Sequence, residues 1–359
     1  MKLKKRLLAA LLAAAMLLCS CSESSSDVTE SSSSAHVTET TTTTAASSEK
    51  NETTTSAPET TTSSSAPDSS KTDSVPEGVP MWEGTAPDGS KITFLGSMHA
   101  AKDDFYPLPD KIAKPFNEAE VVAFECDTDS VENEQAQFDL QQQMALKDGS
   151  TLADHLSPEA YQILAKHLEE LDVTTALVDA YKPWAAYETL TALWIMTSDL
   201  AIKNGIDYYL MDKTKSGGKQ LYELESSADQ LNLVAEFPEK TYNALLKISK
   251  DMTKQIYNDE NEKMYKLWQT GNTAEMEKLS ELPSDDEMKK AGLTDEEVKL
   301  VKDRNKRMLD DRNAVMVSGI KQLFKSGKKT LVCVGCAHYF GEKGIIAALE
   351  KEGYTFKRI

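Results

Sequence analysis

Lys91-Ile92-Thr93-Phe94-Leu95-Gly96-Ser97-Met98-His99 and Thr330-Leu331-Val332-Cys333-Val334-Gly335-Cys336-Ala337-His338 stand near opposite ends of the chain and follow one plan. In each, an apolar run predicts a β-strand, a glycine closes it, and a histidine comes three residues later. Glycine at a strand end lets the backbone turn or come close to another group. Ligands of open α/β folds bind at the carboxyl ends of parallel strands. His99 and His338 are therefore predicted to emerge at one sheet edge, with Gly96 and Gly335 as the backbone turns. A lone Gly-x-x-His is a common chance pattern, and its repetition in matching strand contexts gives it specificity. The chain has five histidines; His36 lies in a polar tract, and His155 and His167 read as structural residues on helices.

Working outward, Trp82 to Thr85 with a turn at Pro87-Asp88-Gly89 adds a β-hairpin partner to the first run. A helix is predicted from Pro109 to about Glu118, with Pro and Asp in its first turn. Val121-Val122-Ala123-Phe124 is a further apolar strand, ending at Glu125 with Asp127 two residues on. Strand, helix and strand in about 35 residues make a βαβ unit. At the other end, a helix from Arg312 to Ser326, the strand 330–334, a helix from Gly341 to Glu352 and a strand at Tyr354-Thr355-Phe356 make a second. Between them lies a largely helical insert, about 131–310. Ser157-Pro158 starts one of its helices, Lys182 to Lys203 reads as another, and Lys219 to Glu225 leads into a strand. The fold class is α/β: a central, mostly parallel sheet from two βαβ units around a large helical insert, in one domain spanning 81–359.

The first 80 residues read differently. Met1 to Arg6 carries four positive charges, and Leu7 to Leu18 is uncharged and apolar. Twelve such residues span about 18 Å as a helix, short of a bilayer core of about 30 Å, so residues 1–20 read as an export signal. Leu18-Cys19-Ser20-Cys21 resembles a bacterial lipobox, which makes Cys21 the expected lipidated residue and the membrane a partner through it. Residues 21–80 form a tether: from Ser22 to Ser74, 31 of 53 residues are Ser or Thr, and no aromatic precedes Trp82. Such a segment cannot bury enough apolar surface to offset its ordering entropy, and as a coil it reaches about 40 Å. The formal charge of −18 leaves −14 on residues 81–359, which excludes a phosphate-backbone partner such as nucleic acid.

Glu125 ends the strand that follows the first histidine loop, so it is expected at the same sheet edge as His99 and His338. Two imidazoles and a carboxylate suit a divalent transition metal with open positions for water and a carbonyl. They equally suit metal-free chemistry with a histidine base oriented by a glutamate. Arg312 reads either as a cation for a developing oxyanion or as a helix salt bridge to Asp310 or Asp311. Glu225 reads either as a supporting carboxylate or as a solvated turn residue. Cys333-Val334-Gly335-Cys336 has Cys-x-x-Cys spacing but spans a strand end, and no second pair completes a zinc site. Cys333 is expected in the core, with a disulfide from Cys336 to Cys126 permitted on an exported protein.

Gly96 to His99, Tyr106-Pro107-Leu108-Pro109, Glu125 after its strand, Lys182-Pro183-Trp184, Gly205-Ile206-Asp207, Leu224-Glu225, Arg312-Asn313 and Val334 to His338 with Gly341 resemble the TraB/GumN family. That family is related to the Tiki membrane-tethered proteases and more distantly to the erythromycin esterase-like and ChaN-like proteins. The resemblance spans about residues 82–359 with the elements in order. It implies an α/β domain with a helical insert, and a site of His99, Glu125 and His338 acting as catalytic residues and metal ligands. Manganese or cobalt are its usual candidates, with zinc a further one, and its Tiki branch implies metal-dependent hydrolysis of peptide bonds. Arg312 matches a family arginine in the catalytic set; Glu225, Asp127 and Asn313 are expected in support or in substrate binding. The leading expectation is a membrane-tethered extracytoplasmic peptidase acting on a peptide or small molecule. Two alternatives stand beside it: a lipoprotein of the TraB type that binds a peptide signal without turnover, and a metal-free esterase-like hydrolase with a histidine base.

Overall fold

Val121–Phe124 and Thr330–Gly335 are buried along their whole length, as strands covered on both faces must be. They form the middle of a six-stranded sheet in a computed structural model that describes residues 78–128 and 134–359. The export signal, the expected lipidation at Cys21 and the tether up to residue 77 lie outside the described residues. Val79 and Pro80, at the end of the expected tether, are already part of the domain, Val79 buried and the Pro80 carbonyl accepting the Gly96 N–H at 2.9 Å. The strands are β1 (Met81–Thr85), β2 (Lys91–Ser97), β3 (Val121–Phe124), β4 (Gln220–Glu223), β5 (Thr330–Gly335) and β6 (Thr355–Arg358). Their order across the sheet is β4-β3-β5-β2-β1-β6. β2, β5, β3 and β4 run parallel, and β1 alone runs against its neighbours.

The expected α/β class with a mostly parallel sheet is what the chain adopts, and the two βαβ units interlock. β5, contributed from the far end of the chain, lies between β2 and β3, and the insert supplies the edge strand β4. The register aligns the strand ends: Ser97 faces Gly335 and Phe124 faces Cys333. Beyond β4, the Leu224 and Glu225 amides continue the ladder onto the carbonyls of Phe124 and Glu125, at 3.0 and 2.8 Å.

The helices are α1 (Asp110–Glu118), α2 (Glu134–Met144), α3 (Leu152–His155), α4 (Pro158–Glu170), α5 (Pro183–Met196), α6 (Ile206–Ser216) and α7 (Ser227–Ala235). There follow α8 (Glu239–Ser249), α9 (Lys254–Gln269), α10 (Thr273–Ser280), α11 (Asp285–Lys290), α12 (Asp295–Lys306), α13 (Arg312–Lys325) and α14 (Ile345–Glu350). Among the described residues, no helix is long and apolar enough to cross a membrane. Strand alternation divides the core between the faces. Val121, Ala123, Val332 and Val334 pack with Met316, Ile320 and Phe324 of α13 and Leu349 of α14. Val122, Phe124, Leu331 and Cys333 share the larger core with Ile112 of α1 and with Ile206, Leu210 and Trp268 of the insert.

Two helices are shorter than their periodicity predicts. The one expected over Lys182 to Lys203 ends at Met196, where Thr197 Oγ1 and Ser198 Oγ donate to the carbonyls of Trp194 and Ile195, each at 2.8 Å. These side chains take over acceptors that a further turn would have used. Ala201 then pairs with Ala101 as an isolated bridge. The helix expected from Gly341 begins at Ile345, because Gly341 sits at φ +76°, outside the helical region.

Candidate active site

All four parallel strands deliver one polar residue to the same edge. In spatial order these are Glu225 after β4, Glu125 after β3, His338 after β5 and His99 after β2. Glu125 is the hub. Its Oε1 accepts the Gly335 N–H at 2.7 Å and its Oε2 accepts Arg312 Nη2 at 2.7 Å. His99 Nε2 lies 3.9 Å from Oε1, and His338 Nε2 lies 3.7 Å from Oε2.

Each imidazole is fixed from behind. His99 Nδ1 donates to Asp207 Oδ2 at 2.5 Å. His338 Nδ1 faces Asn313 Oδ1 at 2.7 Å, and because Asn313 Nδ2 donates to the Lys343 carbonyl, Nδ1 carries the proton. Both rings thereby point Nε2 at the Glu125 side of the site. Asp207 belongs to the first turn of α6, which is clamped to the His99 turn by the Ile206 N–H on the Met98 carbonyl at 2.9 Å. Gly205 permits this approach: a Cβ there would lie 2.5 Å from the His99 carbonyl oxygen.

The two glycines of the paired motifs are cut to fit this assembly. A Cβ on Gly335 would stand 2.8 Å from His99 Nε2 and 2.9 Å from Glu125 Oε1. A Cβ on Gly96 would stand 2.8 Å from Cys336 Sγ. Trp268 of α9 adds a link from the insert, its indole N–H donating to the Gly96 carbonyl at 2.7 Å.

Arg312 and Glu225 take the inward readings. Asp310 pairs with Lys343 and Asp311 with Lys306, while Arg312 is buried and divides its fork between two carboxylates. Nε donates to both oxygens of Glu225 at 2.9 and 3.1 Å, Nη2 donates to Glu225 and Glu125, and Nη1 donates to the Met308 carbonyl. Of its five N–H groups one is left over. Only 7% of the Glu225 side chain is exposed, so it is not a solvated turn residue. Asp127 goes elsewhere, pairing with Lys215 at 2.5 Å. His155 bridges Ser150 and Glu239, and His167 is buried against Ser249 and Trp194. Cys126, Cys333 and Cys336 are free thiols, so the permitted disulfide is not formed.

Burial pulls the His99 imidazole down, but Asp207 and Glu125 outweigh it and the net shift is upward. Burial dominates at His338 and lowers it to about 4, leaving a neutral ring at neutral pH. Burial also opposes charge on Glu125, yet His338, Arg312, His99 and the Gly335 N–H hold its carboxyl below the ordinary range. Glu225 is raised by burial against the pull of Arg312.

Donor chemistry at the edge suits a divalent cation: two imidazole Nε2 atoms, that of His338 on a neutral ring, and an ionised carboxylate. Ligands of a tetrahedral ion with bonds near 2.1 Å stand about 3.4 Å apart, and the 3.9 and 3.7 Å separations are within about half an ångström of that. As the side chains stand, no group of three or more His, Cys, Asp or Glu among the described residues is placed to hold an ion. Beside the histidines lies a cavity of about 70 Å³, walled by Met98, Ile195, Leu200, Met264, Met276 and Phe340 among others.

The strand-end pattern gathers His99, Glu125 and His338 and gives Asp207 no role; Gly205-Ile206-Asp207 carries only the family resemblance, and a glycine beside an acid at a helix start is the local signal for Asp207.

These features define an α/β protein whose sheet edge gathers two strand-end histidines around a buried, arginine-bound glutamate. The profile of the TraB/PrgY/gumN family matches residues 80–358, and the chain belongs to that family. It is 25% identical over 156 residues to "Uncharacterized protein YbaP" of Escherichia coli (strain K12), and equally to the protein of that name in Shigella flexneri. Each match covers 44% of this chain and 56% of the relative, so the chain spans about half the length of the curated relatives it matches. No solved structure matches.

Proposed function

We propose that this protein is an exported, membrane-anchored hydrolase of amide bonds, tethered through Cys21, whose chemistry takes place between His99, Glu125 and His338. The observation that carries the reading is the convergence of two imidazole Nε2 atoms on the two oxygens of one buried carboxylate at the carboxyl ends of parallel strands. Such an arrangement fixes donors before substrate arrives, which is where enzymes gain most from preorganisation.

A divalent cation held by His99 Nε2, His338 Nε2 and Glu125 would supply carbonyl polarisation and an acidified water. The chain's own contribution is orientation. Asp207 and Asn313 set the ring planes and tautomers, the Gly335 N–H and Arg312 hold the carboxylate, and the cavity admits the group beside the reacting bond. Glu125, held below the ordinary carboxylate range by Arg312 and its neighbours, is a poor acceptor for a water proton. It acts as an anchor.

A second reading has its own support. Both Glu125 oxygens already hold a donor, which favours metal-free hydrolysis with His338 Nε2 as the base, its ring being neutral at neutral pH. Incubating the full chain with a complex peptide mixture and reading new termini by mass spectrometry, with and without a chelator, separates these mechanisms. Cleavage lost on chelation and restored by manganese supports the cation; cleavage that survives chelation supports the base. Binding of peptides without any new termini overturns the hydrolase and leaves a binding protein.

A further inference from the structure

The wall of the cavity beside the histidines is mostly apolar; Ser198 and Ser280 on it donate to backbone carbonyls, the Ser97 hydroxyl is buried without a hydrogen-bond partner, and Asn261 is its one amide. Asn261 of α9 is 97% buried and lines it, and no hydrogen bond to its side-chain amide is found among the described residues. The amide therefore faces the cavity with its hydrogen-bonding capacity unused by the protein, and an alanine there would fold the helix equally well. The same helix sends Met264 to the cavity wall and Trp268 to the Gly96 carbonyl, so Asn261 is held at a fixed height above the first histidine motif. Buried polar groups left open in a site are the ones that reject ligands unable to pair with them.

The rest of the wall sets what the amide would read. Met98, Met264 and Met276 are flexible and polarisable, and Ile195, Leu200 and Phe340 close the space between them. About 70 Å³ is roughly half of the ~150 Å³ that admits a benzene ring in an apolar cavity. That is room for one aliphatic side chain and too little for an aromatic one. No Lys, Arg, Asp or Glu lines the cavity, so a charged side chain there would be desolvated without compensation.

We infer that this cavity is a specificity subsite. It takes one aliphatic side chain of a peptide next to the bond at His99 and His338, while Asn261 pairs with a backbone amide of that same residue. An Asn amide offers both a donor and an acceptor, which matches the N–H and C=O of one peptide unit. The inference rests on the proposed hydrolase reading for the word "bond" but not for the binding itself.

The test uses the full chain, Asn261→Ala, and Met276→Trp, which fills the cavity. In the peptide-mixture digest, one position beside the new termini should be enriched in Leu, Ile, Met and Val over Phe, Trp and charged residues. Asn261→Ala should lower kcat/KM about tenfold, mostly through KM, and Met276→Trp should shift the preference to Ala and Gly. In parallel, saturation-transfer NMR should show an N-acetyl-Leu-Leu-amide probe contacting the wild type, with the signal lost in both variants. Cleavage with no aliphatic enrichment, or with enrichment unchanged in both variants, overturns the subsite and leaves the hydrolase standing. Probe binding that depends on Asn261 without any cleavage upholds the subsite and overturns the hydrolase. Absence of both overturns both.

Discussion

Asp207 Oδ2 lies 2.5 Å from His99 Nδ1, a contact across 108 residues that decides which nitrogen of His99 is left with a lone pair. The pair exists because α6 starts on the His99 turn, through the Ile206 N–H and a glycine that leaves room for the His99 carbonyl. Replacing Asp207 by Ala should therefore change the ring before it changes the fold. Long-range proton–nitrogen NMR should show His99 in one tautomer in the wild type and in a mixture in the variant. Loss of such a partner typically lowers activity or metal affinity about 10- to 100-fold. An unchanged tautomer would mean that Asp207 merely fills space.

Gly335 and Gly96 fail differently. In Gly335→Ala the new methyl meets His99 Nε2 and Glu125 Oε1, so turnover should fall by more than about 100-fold, as a displacement of about 1 Å at reacting groups does. In Gly96→Ala it meets the Cys336 thiol, and overpacking of this kind costs about 1–3 kcal/mol. Cys336→Ala added to Gly96→Ala should recover part of that loss in denaturant melts, and should recover nothing when added to Gly335→Ala.

A second buried ion pair holds the helical insert. Arg304 Nη2 of α12 meets Glu188 Oε1 of α5 at 3.2 Å, with 2% and 1% of the side chains exposed. Glu188→Ala leaves a buried cation and should cost about 3–5 kcal/mol, whereas Glu188→Met combined with Arg304→Met should cost far less. Equal losses in the single and double variants, read from chemical denaturation, would refute this account of the pair.

Acid should loosen the insert at His167. Burial lowers this imidazole to about 4, against 6.5 for a free one, with Lys166 adding to the shift. Between those values the unfolded chain binds the extra proton, so stability rises with pH across the window and is lost as pH falls from about 6.5 towards 4. The full effect is on the order of 3 kcal/mol. His99 is shifted upward and works in the opposite sense, losing its contribution as pH rises. His167→Gln should flatten the fall in melting temperature between pH 6.5 and 4, and an unchanged slope would assign the acid sensitivity to other groups.

The strand ends were legible because the apolar runs β2, β3 and β5 are buried in full or nearly so and each is closed by a glycine or a carboxylate. Parallel pairing then makes a sequence position into a place at the edge, so the sequence alone gathers His99, Glu125 and His338. Interlocking of the two βαβ units was not legible, since β2 and β3 read as neighbours and nothing local says that a strand over 200 residues later will separate them. Arg312 illustrates the same limit. Its spacing allowed a pair with Asp310 or Asp311, and only the fold brings Glu125 and Glu225 within reach. Asp207, Glu188 and Asn261 escaped because their meaning lies in what the fold packs around them: Asp207 and Asn261 sit on helices rich in charged residues, where a polar side chain looks like any solvated one, and the partner of Glu188 is 116 residues away.

The central claim, that the His99–Glu125–His338 cluster performs hydrolysis, is tested most directly by one comparison. The full chain and Glu125→Gln, each shown by circular dichroism to be folded, are incubated with the same peptide mixture and new termini are counted by mass spectrometry. The account predicts cleavage by the wild type and at least about a 100-fold loss in the variant, whose neutral amide no longer offers Arg312 and the two imidazoles a negative charge. Equal cleavage by both proteins, or none by either, contradicts it.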